Sequence, residues 1–458
     1  MNRFVRHLLV LLAMTVGCGD DGDGEVDTDV EPTGEPGTGV KPSGKKWSVE
    51  EIEADVGIHS KIAVGPSGDV SVAYYANSPF EDGECIELEH DPKPTRKRYE
   101  LRFATKTGDA WSTELIDSPL SPEIPSGLAH AYSPDGEPVV VYTGGEPILD
   151  WCGANDAFYS VRSGGAWTPE TAAAESGESA TGNEASDAGF GVGFNPTLTF
   201  DNNGDPAIVH QDKHFVYLQR DDEYRADAEL AWRTGGAWQH EAVDYAEGAG
   251  DANAIVFDES NRPIVFYAID VESHVKSRHG VWAGRLGEDG EWEQIKIHTG
   301  AIGTGISATI DPVRNEPVVA FYSAPDYGVK VRRLIDPDAF EESGSWTSEI
   351  VHDDQFNEGD HVSLAFTSDG EPALSYHRCR RYDPSDDSCD PNDEALVFAI
   401  QKQGKWKFET VHQADNLSCG TYTSLAFGPD DTAYISFQCT KESMGEFSLV
   451  LNVADKQF

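Results

Sequence analysis

One context recurs seven times along the chain and limits its fold more than any other feature. A short Gly-containing turn leads into Trp-x-x-Glu at Trp47, Trp111, Trp167, Trp238, Trp346 and Trp406; at Trp292 the third place holds Ile295. The acids are Glu50, Glu114, Glu170, Glu241, Glu349 and Glu409. Each Trp segment is followed by an apolar strand, a turn rich in Asp, Asn, Gly or Pro, and a second apolar strand ending in an aromatic. Ser363-Leu-Ala-Phe-Thr-Ser-Asp-Gly-Glu-Pro-Ala-Leu-Ser-Tyr376 is the clearest copy. The terminal aromatic aligns as Tyr74, Tyr142, Tyr267, Phe321, Tyr376 and Phe437, with His210 in the third copy. A third strand then leads into the next Trp.

Four short strands per unit make one propeller blade, lettered a to d from Ser-Leu-Ala-Phe to Trp. A lone blade cannot bury both faces, so blades pack on one another until the ring closes. Trp47 opens a d strand with no a, b or c before it, while Ser448–Val453 is a c strand with no d after it. Together they complete blade seven. The expected fold is therefore all-β, a seven-bladed β-propeller with four antiparallel strands per blade over about 47–458. Its closure pairs Trp47–Glu53 with Phe447–Val453. The Glu three places after each Trp points away from it along a strand and reads as an outer-edge charge against sheet-to-sheet aggregation.

Composition narrows the partners. The 458 residues carry 81 Asp+Glu against 34 Lys+Arg, a net charge of −47. Such a chain repels nucleic acid and anionic membrane surfaces. Hydrophobic residues at 38% still supply a core.

The N-terminus reads as an address. Arg3 and Arg6 precede a short apolar run, Leu8–Val16, too short to span a bilayer. The run ends in Thr15-Val16-Gly17-Cys18, which resembles the lipobox of bacterial lipoproteins, with Thr15 standing where Leu is usual. That resemblance implies a signal peptide over 1–17, acylation of Cys18 and, with Gly19 next, an outer-membrane lipoprotein on the cell surface or periplasmic face. Residues 18–46 are acidic and rich in Gly and Pro, a disordered tether. The membrane is then met only through the lipid anchor. Six further Cys suggest disulfides Cys85–Cys152, Cys379–Cys389 and Cys419–Cys439, the rival pairing joining Cys379 or Cys389 to Cys439.

The repeat resembles a widespread unit of bacterial extracellular propellers, Ser-Leu-Ala-x-Asp-x-x-Gly-x-Pro followed by Tyr and then Gly-x-x-Trp. Sialidases are distantly similar in architecture, but their aspartate boxes are not matched: Ser133-Pro-Asp-Gly and Ser368-Asp-Gly lack the spacing and the Thr-Trp. The repeat speaks for architecture and little for function.

The long insertions fall in the d-to-a and b-to-c loops, which share one face, and so do the six Cys. Candidate ligand-binding residues on that face are His361, His377 and Arg378 in blade six, as fixed donors for an acidic or polyol ligand. His210 and Asp212 in blade three are a second set, His210 being either a ligand group or a hydrogen-bonded core residue. Tyr75, Tyr322 and Tyr422 align near the rim as stacking platforms or as packing between blades. Asp383, Asp386, Asp387 and Glu394 resemble a Ca²⁺ loop with Ser388 in place of its Gly; no other cofactor is implied.

The expected function is a surface-tethered, non-enzymatic, monomeric propeller that binds a glycan, peptide or protein on its loop face. Two alternatives stand beside it: a glycan-active hydrolase or lyase with carboxylate catalysis in the central pocket, and a structural envelope spacer.

Overall fold

Strand b of each blade is close to a continuous apolar run, and the computed structural model shows why: Pro263–Ile269 and Pro372–Cys379 are buried at every position. A strand sandwiched between neighbouring sheets on both faces has no polar side to present. The d strands alternate, as in Ala110–Asp117, because they form the rim. The structure describes residues 46–458 except 55, 78–82, 85–94, 109, 122–126, 145–155, 175–190, 214–225, 246–247, 270–275, 352–357, 380–381, 384–387, 390–391, 416 and 444–445.

The strands form seven antiparallel blades, blade one carrying two short additional strands, Gly83–Glu84 and Leu120–Ser121. The a strands are Val56–Val64, Leu128–Tyr132, Gly191–Phe200, Ala249–Phe257, Ile302–Ile310, Glu358–Phe366 and Leu417–Phe427, and each packs against the next around a closed ring. Serine hydroxyls stitch some of them together: Ser307, Ser363 and Ser424 accept from the backbone N–H of Leu364, Leu425 and Ile62 in the following blade. The ring closes as expected, by the N-terminal strand joining the last blade. Ser48–Ala54 pairs with the final strand, Glu446–Gln457, in the register Ser48 to Asp455 through Ala54 to Val450.

The repeated Glu does more than charge an edge. Trp and Glu sit three apart on one strand, so they face opposite neighbours, and five of the six Glu receive the indole N–H of a Trp in the adjoining blade; the Trp406 indole does not reach Glu349, which accepts from Gln401 instead. The bonds run Trp111 to Glu50 at 2.8 Å, Trp167 to Glu114 at 3.0 Å, Trp238 to Glu170 at 3.2 Å, Trp292 to Glu241 at 3.0 Å and Trp47 to Glu409 at 2.9 Å. Lys106, Arg162, Arg233 and Lys456, on the c strands, pair with the same carboxylates in four of these joints. The one break in the motif has a matching consequence. Blade four offers Ile295, so Trp346 of blade five turns to the backbone carbonyl of Phe340 at 3.0 Å.

A second latch lies nearer the loop face, six residues after each Trp. In three of the blades whose strand b ends in Tyr, the hydroxyl donates to an acid there: Tyr74 to Glu53, Tyr142 to Asp117, Tyr267 to Asp244. Where it ends in Phe, that place holds a histidine packed on the ring, His298 on Phe321 and His412 on Phe437. A buried phenol needs an acceptor and a phenyl does not.

Candidate active site

Six of the seven a strands leave their regular pairing where they meet the loop face. In blade six, Ser363 pairs with Ser375, then Asp360 with His377 and Glu358 with Arg378; blade seven slips in the same way between Ser424 and Cys419. The slip needs a residue in the left-handed region. Blade five supplies glycine there, Gly305, and blade two has Gly127 at the equivalent place, at no steric cost. Blade three uses Asn195, φ 48°. Blades one, six and seven use ring residues: His59 at φ 67°, His361 at 53° and Tyr422 at 49°. An L-residue there costs roughly 1–2 kcal/mol, and strain of this kind clusters at functional sites.

The three rings belong to consecutive blades and stand side by side. His59 and Tyr422 are 4.6 Å apart between ring centroids, and so are Tyr422 and His361. His377 continues the row, 6.5 Å from His361. Behind it lies a buried carboxylate: His377 Nε2 bonds Glu394 Oε2 at 2.8 Å, and the Ser418 hydroxyl of blade seven donates to the same oxygen. Two disulfides brace this corner. Cys379–Cys389, Cα atoms 5.7 Å apart, starts at the register partner of Glu394. Cys419–Cys439, at 4.1 Å, starts beside Ser418 and links directly opposed residues. Both are the expected pairings; Cys85 and Cys152 lie outside the described residues. His412 lies near Cys419 and Cys439, but the bridge withholds both thiolates from a metal.

The structure thus gathers His361, His377 and Tyr422, and adds His59, Glu394 and Ser418. The other expectations are corrected. Arg378 is 2% exposed and, next to His377 on strand b, points to the opposite face, so the two do not act as one donor pair. Tyr75 is 1% exposed, packed on Tyr99, its hydroxyl reaching the carbonyl of Gly127; it supports the neighbouring blade and offers no platform. Tyr322 is half-buried on strand b of blade five, beside Gly359 of blade six, and makes no ring contact with Tyr422 among the described residues. His210 is fully buried in blade three, where Nδ1 accepts from the N–H of Gly193 and Nε2 lies 3.9 Å from Glu229. Burial pushes its pKa down to about 4, so it is a neutral core histidine. Asp212 beside it is also fully buried. Of the calcium set, Asp386 and Asp387 lie outside the described residues, as does the side chain of Asp383, and Glu394 is committed to His377 and Ser418.

One signal in the sequence pointed to the row: Gly-x-His at 57–59 and 359–361 and Gly-x-Tyr at 420–422 share one place in the repeat.

No protein-family model and no curated protein sequence matches the chain. Solved structures of similar shape include an α-L-arabinanase from Penicillium chrysogenum, at 12% identity and a TM-score of 0.44, covering 72% of this chain and 92% of that one. A sialidase from Trypanosoma rangeli is similar at 10% identity and a TM-score of 0.41, covering 91% and 59%. A sialidase from Streptococcus pneumoniae gives 10%, 0.42, 88% and 69%. Likeness at this distance is one of shape; the propeller itself rests on the strand topology. By name these three are glycan-cleaving enzymes, the class of the alternative reading and not of the expected non-enzymatic binder.

Proposed function

We propose that the chain is a glycan-active hydrolase whose substrate lies across the His59–Tyr422–His361 row, with His377 as the proton-transfer group. The observation that carries this reading is the row itself: three adjacent blades accept left-handed strain to hold rings side by side where two others use glycine. Aromatic faces give a sugar ring apolar contact, and the ring nitrogens and phenol give it fixed polar partners. A histidine held by a buried carboxylate has a set tautomer and orientation, as general acid–base catalysis requires.

The test is sugar release from a panel that includes arabinan, an aryl arabinofuranoside and a sialoside. Turnover should fall at least 100-fold in His377→Ala and Glu394→Gln with the fold retained. Binding of a glycan at the row with no cleavage of any panel member would refute the hydrolase.

We also propose, from the lipobox-like Thr15-Val16-Gly17-Cys18 and the acidic Gly/Pro-rich run behind it, that the protein is an outer-membrane lipoprotein of the bacterial extracellular propeller-repeat type, acylated at Cys18 with residues 19–46 as its tether. Cys18→Ser should then leave the membrane fraction; retention there would sink the anchor.

A further inference from the structure

Strand c of each blade has one place where size is tightly held. Opposite the second residue after the latch Trp stand Ala104, Ser160, Ala231, Gly284, Ala399 and Ala454 in six blades. All except the glycine are fully buried side chains. Blade five puts Arg332 there, opposite Ser348. Its Nε is buried without a hydrogen-bond partner, and the guanidinium forms no ion pair among the described residues.

The surroundings have changed sign with it. The blade-four strand that faces Arg332 carries Ile295 where other joints have the latch Glu, and His298 where three joints have the tyrosine-binding acid. Lys296 and Lys330 stand nearby, and with His298 and Arg332 they line an open cleft of about 310 Å³ between blades four and five. One acid, Asp326, borders it, taken up by Lys330 at 2.6 Å and by the hydroxyl of Ser323. Burial, Lys330 and Arg332 hold His298 near pKa 4, so it is neutral at pH 7. Three cations against one carboxylate leave the cleft net positive in a chain of charge −47. A guanidinium that replaces a buried methyl and gains no protein acceptor costs folding energy, and a forked donor set is suited to planar or tetrahedral oxyanions.

We propose that this cleft is an anion-binding site, separate from the ring row, that takes the carboxylate or sulfate group of an acidic ligand through Arg332. The site stands whether or not the row cleaves glycans. The test is titration calorimetry of the whole protein with sodium sulfate and sodium galacturonate against sodium chloride at matched ionic strength. Sulfate or galacturonate should bind in preference to chloride, the tighter of the two naming the acidic group. Arg332→Ala should weaken that binding at least tenfold without lowering the melting temperature, since five blades carry Ala or Ser at this place. Asp326→Asn, which removes the competing carboxylate, should tighten it. Equal binding by wild type and Arg332→Ala, or no preference over chloride, would overturn the site.

Discussion

If the ring row is strained for a purpose, glycine should beat alanine at its three positions. Both substitutions at His361 lose the ring, worth about 1 kcal/mol for an edge-on contact. Alanine keeps the left-handed backbone and its cost of roughly 1–2 kcal/mol. Glycine sheds that cost and gives back about 0.4–1 kcal/mol through the freedom of its unfolded chain. His361→Gly should therefore exceed His361→Ala by roughly 0.5–1 kcal/mol and stay within about 1 kcal/mol of wild type. The same order should hold at His59 and Tyr422. Thr423, one residue on and back in the regular strand, should reverse it, with alanine the more stable. Denaturant midpoints and slopes at pH 7 measure each pair. Alanine equal to or better than glycine at 59, 361 and 422 would refute the reasoning, because the rings would then be structural packing.

The latches should grade by how many partners each acid holds: Glu114→Ala, which strands Trp167 and Arg162, should cost about 2 kcal/mol. Glu241→Ala, which strands Trp292, should cost about 1 kcal/mol, and Glu349→Ala, whose acid is held among the described residues by Gln401 alone, still less; equal melting temperatures for the three would discount the latch. Removing residues 47–54 should open the ring and produce aggregates in light scattering, whereas a monomer with an unchanged melting point would disprove the clasp. Burial pushes the pKa of His130 and His210 down to about 4. The unfolded chain takes up protons from about pH 6.5 while the folded one does not, so stability should fall between about pH 6.5 and 4, by up to roughly 3 kcal/mol per histidine. His130→Gln should flatten that slope in a denaturant series, and an unaltered slope would count against it.

The ring and its closure were legible because the Trp-x-x-Glu turn is local and its count is fixed by the split blade. What the Glu binds was not, since the partner Trp lies a whole blade away, and a period-2 pattern gives the direction of a side chain without its contact. The site was half legible for a related reason. His361 and His377 mark the ends of strands and could be placed by counting. Tyr422 was aligned with Tyr75 and Tyr322, which sit on strand b, because the slip in strand a adds residues that simple alternation does not anticipate. His59 was missed for the same cause. Cys379–Cys389 and Cys419–Cys439 followed from loop and strand ends, which tolerate such shifts.

Closing the last blade with the first strand also fixes how the protein is displayed. A d strand runs toward the loop face, so Ser48 begins on the opposite, turn side, and the final c strand runs back to that side at Gln457. Both chain ends therefore leave from the face that carries the short a-to-b turns. A support coupled to either end, whether a lipid, a resin or a fused domain, holds the disc from behind with its ring row turned outward. A pull through residue 46 also runs along the N-terminal strand, loading its ladder to the last strand in shear rather than peeling it bond by bond.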